Sequence, residues 1–161
     1  DVLDISVKAS ALLPVEPQGG IKQRPLTHKP YWHAERARVE GTRNVAVELI
    51  VNGYPVETQE ITADGSVHDL RFEYRPEQSC WIAFRMFAAA HTNPIFVEMD
   101  GKPIRASKRS AQWCIDSVEQ CWKSKKPRIR GHEQDAARKA YDHAREQYEQ
   151  ILEVSFDFTK Q

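Results

Sequence analysis

The sequence predicts an α+β protein in which antiparallel strands come first and two helices come last. Up to Ala106, apolar residues alternate with polar residues at the period of a half-buried strand. After Ala106 the apolar residues recur about every 3.6 positions, as on an amphipathic helix. The change of period predicts two regions, residues 1–106 and residues 107–161.

Length and charge limit the possible partners. The chain has 161 residues, of which 40% are hydrophobic, enough for the core of one domain with an appendage. Lys plus Arg number 23, as do Asp plus Glu, so no long-range field favours nucleic acid or anionic lipid, and we expect neither as a partner. We also expect a soluble chain, because no signal-peptide pattern or membrane-length apolar run occurs. Oligomeric state and compartment stay open.

The strands begin almost at once, with Leu3 and Ile5 on one face, which suggests a chain cut from a longer polypeptide. Residues 14–30 form a predicted surface loop with four prolines and a Gly-Gly pair, and residues 31–39 resume an extended pattern. That pattern leaves the burial of Arg36 and Arg38 ambiguous.

Turn signals divide the rest of the first region into short strands. Asn52-Gly53 predicts a two-residue hairpin turn, and Pro55 places the following strand at a sheet edge. Residues 80–87 are apolar on both faces and predict a central strand, while Asp100-Gly101 predicts another hairpin. Seven or eight short strands at this spacing indicate an antiparallel β-sandwich of immunoglobulin-like type.

Two amphipathic helices are predicted in residues 107–161. Ser107 or Ser110 fits the N-cap of the first helix, Pro127 ends it, and the second covers about residues 133–154. A short connection predicts an antiparallel hairpin, whose apolar stripe packs either on the sandwich or on a partner. Phe156 and Phe158 fit a short added strand.

The three cysteines do not predict a disulfide framework. Cys114 and Cys121 are seven positions apart on the predicted helix, a separation of about 10 Å that is too long for a disulfide. No Cys-x-x-Cys pair occurs. We therefore expect buried, unreactive thiols.

Metal-ligating residues are sparse. The six histidines include no His-x-His and no His-Glu-x-x-His motif. His33 and Glu35 would share one face of an extended strand and offer two ligands, and His91 is a further weak candidate. Because a closed site needs three or four ligands, we predict no metal site, no cofactor and no catalytic residue in this segment.

Two other residue groups suggest ligand binding. Arg105, Lys108 and Arg109 precede the first helix, where positive charge opposes the helix dipole and a bound anion would relieve the conflict. Tyr31 and Trp32 are the only plausible platform for a carbohydrate, since three further tryptophans lie in core-like patterns: Trp81, Trp113 and Trp122.

Several stretches of the chain resemble one known family. They lie at residues 31–38, 51–56, 91–107, 110–114, 118–122 and 141–145. The most specific is the strand Asn93-Pro94-Ile95-Phe96-Val97, which leads into the Asp-Gly hairpin. Together they resemble the C-terminal region of bacterial CehA/McbA-type metallohydrolases, of the PHP (polymerase and histidinol phosphatase) superfamily, over residues 3–152.

The resemblance implies an accessory role. In that family an N-terminal domain binds the divalent metal through His-x-His pairs and scattered acids, and none of these motifs occurs in this chain. The resemblance therefore implies a non-catalytic segment whose partner is the N-terminal catalytic domain of the parent polypeptide. We expect residues 88–93, with His91 and Asn93, to face the mouth of that active site. The alternative is a stand-alone carbohydrate- or anion-binding module; a free-standing enzyme is the least favoured interpretation.

Overall fold

The computed structural model of the protein describes residues 1–158. It forms two compact units, residues 1–102 and the described residues from 103 onward. Seven strands, β1 to β7, lie in the first unit of the described chain: Leu3–Leu12, Asn44–Val51, Tyr54–Thr62, Asp64–Tyr74, Cys80–Met86, Ala90–His91 and Ile95–Val97. The second unit contains helices α1 (Lys108–Lys125) and α2 (Gln134–Glu153). The predicted α+β class, with antiparallel strands before helices, is confirmed.

The first sheet pairs β1 with β4 in antiparallel register. Ile5 lies opposite Phe72, and Val7 lies opposite Leu70. Along β1 the inward residues are half-buried or buried while most of their neighbours are exposed, which is the alternation that the sequence predicts. A register shift between Ser10 and Leu12 interrupts the ladder before its end.

The second sheet has the order β3–β2–β5–β6, with β7 also paired to β5. Strand β3 lies at its edge, where Pro55 can be accommodated without losing a ladder hydrogen bond. The β2–β3 turn has positive φ at Asn52 (49°) and Gly53 (94°), as an Asn-Gly hairpin requires. Strand β5 lies between β2 and the β6–β7 segment, in agreement with its apolar sequence.

The two sheets contact each other through aromatic side chains. The rings of Phe72 on β4 and Phe84 on β5 lie 5.1 Å apart, tilted by 51°. Phe72 is fully buried, and Val45, Leu49 and Val51 of β2 are buried as well. Buried side chains from both sheets therefore contribute to the core of the first unit.

The second unit is organised around Trp122. Its ring lies 5.3 Å from the ring of Tyr141 on α2, and the Arg138 guanidinium lies 5.2 Å above it. Arg138 also forms ion pairs with Glu119 of α1 and Asp142 of α2. The Ser107 side chain accepts a hydrogen bond from the Ser110 N–H, so the predicted N-cap is confirmed at Ser107.

Several local predictions are wrong. Residues Ala34–Ala37 form a 3₁₀ helix where an extended strand was expected. Trp113 is 69% exposed, although its spacing suggested a place beside the core stripe. Cys80 is buried as expected, but Cys121 is exposed and Cys114 is half-buried. Only Ala111 and Trp122 of α1 are buried, so the buried part of this helix is narrower than its apolar stripe and leaves Trp113 and Cys121 exposed.

Replacement of the central ring tests the two-sheet core. Phe72→Ala should lower the free energy of unfolding by about 3–5 kcal/mol, because it removes a fully buried ring from a packed interface. Val67→Ala, on the same strand but 63% exposed, should change it by less than about 0.5 kcal/mol. Urea denaturation followed by circular dichroism measures both, and equal effects would contradict this core.

Candidate functional site

The proposed His33–Glu35 ligand pair does not form. His33 caps the 3₁₀ helix, and its Nδ1 accepts a hydrogen bond of 3.1 Å from the Glu35 N–H. The Glu35 carboxylate is 2% exposed and binds the Arg38 guanidinium in a bidentate pair, at 2.6 and 3.0 Å. The expectation that both side chains share a strand face is therefore wrong. Both Glu35 oxygens are engaged by a cation, so this carboxylate does not fit a metal ligand.

Arg36 orders the Pro-rich loop. It is 7% exposed, and its guanidinium donates to four backbone carbonyls of the loop: Arg24, Pro25, His28 and Pro30. These hydrogen bonds satisfy backbone carbonyls of a segment that forms no strand. The loop is therefore fixed from inside by a side chain that follows it in sequence.

Arg38 holds the base of the same loop. Besides Glu35, its guanidinium reaches the carbonyls of Pro14, Val15 and Thr42. The Lys22 ammonium donates in turn to the Arg38 carbonyl. Burial of Arg36 and Arg38, which the sequence left ambiguous, is thus explained by paired and hydrogen-bonded guanidinium groups.

Tyr31 and Trp32 follow this anchored loop and are accessible. Tyr31 is 39% exposed and Trp32 is 68% exposed. Their ring centroids lie 5.8 Å apart with a tilt of 50°, so the rings form an angled surface and not one flat platform. The Arg36 hydrogen bond to the Pro30 carbonyl, directly before Tyr31, fixes the backbone that presents them.

His91 and Asn93 lie on the exposed β6–β7 segment. His91 lies opposite Arg85 in the ladder, and its Nδ1 contacts the Thr92 carbonyl at 3.0 Å. Thr92 lies between β6 and β7 and links this segment to β5. Its hydroxyl accepts a hydrogen bond from the Phe84 N–H and donates one to the Asn93 carbonyl. The segment is therefore ordered, while His91 and Asn93 themselves stay exposed.

Exposed apolar side chains flank these two residues. Phe87 is 47% exposed, Ile95 51% and Phe96 66%. Ile95 and Phe96 pair with Ile82 and Trp81 of β5. The exposure of Ile95 and Phe96 could not be predicted from the sequence, because an Ile-Phe-Val triplet is typical of a buried strand. We call these three exposed residues, Phe87, Ile95 and Phe96, the apolar edge; large exposed apolar side chains that lie together commonly mark interaction surfaces.

Of the three basic residues expected before the first helix, only Arg105 precedes it: Lys108 and Arg109 are the first two residues of α1, so that expectation is wrong for them. The Lys108 N–H donates to the Asp157 carboxylate at 3.0 Å, and Ser107 caps the adjoining turn. Lys108 and Arg109 are exposed, while Arg105 is half-buried and its Nε has no hydrogen-bond partner in the described chain. Because Asp157 supplies negative charge at this helix start, the dipole conflict requires no external anion.

A Ser–His–Asp cluster that the sequence did not single out lies at the start of β4. Ser66 donates to the Asp64 carboxylate, and this hydrogen bond is the main cause that lowers the pKa of Asp64. His68 Nε2 contacts both Ser66 Oγ and the Thr62 carbonyl. A carbonyl only accepts, so Nε2 carries the proton and cannot take one from Ser66. The cluster orders a turn and does not activate a nucleophile.

The cysteines offer no activated thiol in the core. Burial raises the pKa of the Cys80 thiol, which disfavours the nucleophilic thiolate. Among residues 1–158, no three His, Cys, Asp or Glu side chains come together as a group that could hold a metal ion. Within the same range, no helix has the length and apolar character needed to cross a membrane.

The chain was compared with known proteins at three levels. No protein-family model, no curated protein and no solved structure matches it.

The buried ion pair supports a stability prediction. Glu35→Gln should lower the free energy of unfolding by about 3–5 kcal/mol, because it leaves the Arg38 charge buried without its counter-ion. His33→Ala removes only one capping hydrogen bond and should cost about 1 kcal/mol. Chemical denaturation measures both. If the two variants lost equal stability, Glu35 would not be the essential counter-ion.

Proposed function

We propose that this chain is a non-catalytic accessory domain that docks on the catalytic domain of a larger metal-dependent hydrolase of the CehA/McbA type. The observation that carries the proposal is the apolar edge. Its three exposed residues flank, in sequence, residues 88–93, the loop that the family resemblance suggests as the docking surface. Strand β7 also lies within the most specific part of that resemblance.

The finer fold belongs to the same proposal. We propose that the first unit is an immunoglobulin-like sandwich, supported by two antiparallel sheets joined through Phe72 and Phe84. We also propose that α1 and α2 form an antiparallel hairpin. Support comes from their short connection and from the pairing of Glu119 with Arg138 near the ring contact of Trp122 with Tyr141.

Docking through the apolar edge has a physical basis. Large apolar side chains at the centre of an interface contribute most of its free energy, whereas the polar residues around them mainly exclude water. Phe96, the most exposed of the three, would supply this centre, and His91 and Asn93 would lie on its polar rim. Ile95, its neighbour on β7, points to the opposite face of the sheet. The divalent metal and the catalytic groups would then belong to the partner domain.

A charge placed at the apolar edge tests the docking. In the parent polypeptide, Phe96→Asp should weaken domain association by at least about 2 kcal/mol. The substitution removes the phenyl ring that the interface would bury and places a charge there. Differential scanning calorimetry should show a lower Tm for the catalytic domain. In the isolated chain, the same substitution should leave the unfolding free energy nearly unchanged, because Phe96 is 66% exposed there.

Val67→Asp is the matched control. Val67 is 63% exposed and lies on β4, away from the β6–β7 segment in the sheet order. Val67→Asp should leave the Tm of the catalytic domain in the parent polypeptide unchanged, as well as the unfolding free energy of the isolated chain. If Phe96→Asp and Val67→Asp had the same effect on the catalytic domain, the apolar edge would not be the docking surface.

A carbohydrate-binding module is the second candidate, favoured by the exposed ring of Trp32 on an anchored loop. Sugar rings stack their C–H faces on accessible aromatic side chains. If this function holds, pyranoside oligosaccharides should quench the fluorescence of the wild-type chain in a saturable manner. Trp32→Ala should abolish that response, and Trp113→Ala, which removes an equally exposed indole, should not. Loss of the response in both variants, or in neither, would rule out Tyr31–Trp32 as the site.

A further inference from the structure

Residues 123–130, at the end of α1 and in the connection that follows it, form an exposed cationic surface that we call the basic tip. Five of its residues are basic, and all five are exposed: Lys123, Lys125, Lys126, Arg128 and Arg130. No acidic residue lies between Glu119 and Glu133 in the sequence. The tip therefore carries a concentrated positive charge on a chain whose net charge is zero.

Two of the five cations have partners within the helical unit. Lys126 lies 5.8 Å above the Trp122 ring, and Arg130 forms an ion pair of 3.8 Å with Glu133. Lys123, Lys125 and Arg128 form no ion pair with any described residue. The negative end of α1 corresponds to only about half a charge. The charge of these three cations therefore exceeds the partial negative charge at the end of α1.

We propose that the basic tip docks a short acidic segment, rich in Asp and Glu, of a partner protein. Charge complementarity is the reason: carboxylates can pair with Lys123, Lys125 and Arg128, which no acid of the described chain neutralises. The inference does not depend on the accessory-domain proposal, because it concerns a different unit of the chain.

A short acidic segment fits better than nucleic acid. A duplex carries one negative charge per about 1.7 Å and extends well beyond the tip. Beyond the tip, α2 does not continue the cationic surface, because it carries three basic residues and five acidic ones: Asp135, Asp142, Glu146, Glu149 and Glu153. Single-stranded binding favours exposed aromatic side chains, and Trp122, the one aromatic residue next to the tip, is 9% exposed. A few carboxylates can occupy the tip without either difficulty.

The test uses the full chain and a fluorescein-labelled oligoglutamate peptide, with binding followed by fluorescence anisotropy. Binding should be measurable at low salt and should weaken strongly near physiological ionic strength, because exposed ion pairs are screened. The triple variant Lys123→Gln, Lys125→Gln, Arg128→Gln should bind about tenfold more weakly, since three exposed pairs are lost. Circular dichroism verifies that the helices remain folded.

The matched control changes the same amount of charge elsewhere. Lys29→Gln, Arg71→Gln and Arg75→Gln remove three exposed cations from the first unit and should leave peptide binding within about twofold of wild type, the residual long-range effect being small. An equal loss in both triple variants would overturn the proposal, as would absence of peptide binding at low salt. It would also be overturned if a duplex oligonucleotide bound through the tip and oligoglutamate did not.

Discussion

The buried guanidinium groups of Arg36 and Arg38 are the constraint on which the first unit depends. A loop of this length contains many backbone carbonyls that no strand can satisfy, and six of them within residues 14–30 accept from these two side chains. Glu35 makes the arrangement possible, because its carboxylate balances the charge of Arg38 inside the protein. Removal of any one member would leave buried polar groups without partners.

The same network explains where the sequence was informative and where it was not. One hairpin and one edge strand followed from turn chemistry: Asn52-Gly53 and Pro55 specify them through local backbone preferences. Residues 34–37 became a 3₁₀ helix for a reason that is not local. The side chains of Arg36 and of the adjoining Arg38 donate to carbonyls up to 24 positions away. A periodicity of a few residues contains no information about such contacts.

Exposure was the harder property to predict at the candidate sites. Trp113 and Phe96 both have the sequence context of core residues, yet each is about two-thirds exposed. A hydrophobic pattern reports which side chains favour burial, but not whether this chain alone provides the surface that buries them. The apolar edge and Trp113 are exposed in the described chain although their sequence context is apolar. His33 and Glu35 show the opposite case, because two polar residues that suggested a ligand site serve the internal structure.

The two helices of the second unit bury very few apolar side chains. In the described chain α2 has no fully buried residue, and α1 has only Ala111 and Trp122. Arg138 compensates by joining three interactions, since it contacts the Trp122 ring and pairs with Glu119 and Asp142. Its hydrogen bond to Asp142 raises the pKa of a guanidinium that is already charged at any physiological pH. Arg138 therefore stays charged across that range, so the cation over the Trp122 ring and the partner of both carboxylates is present at every physiological pH.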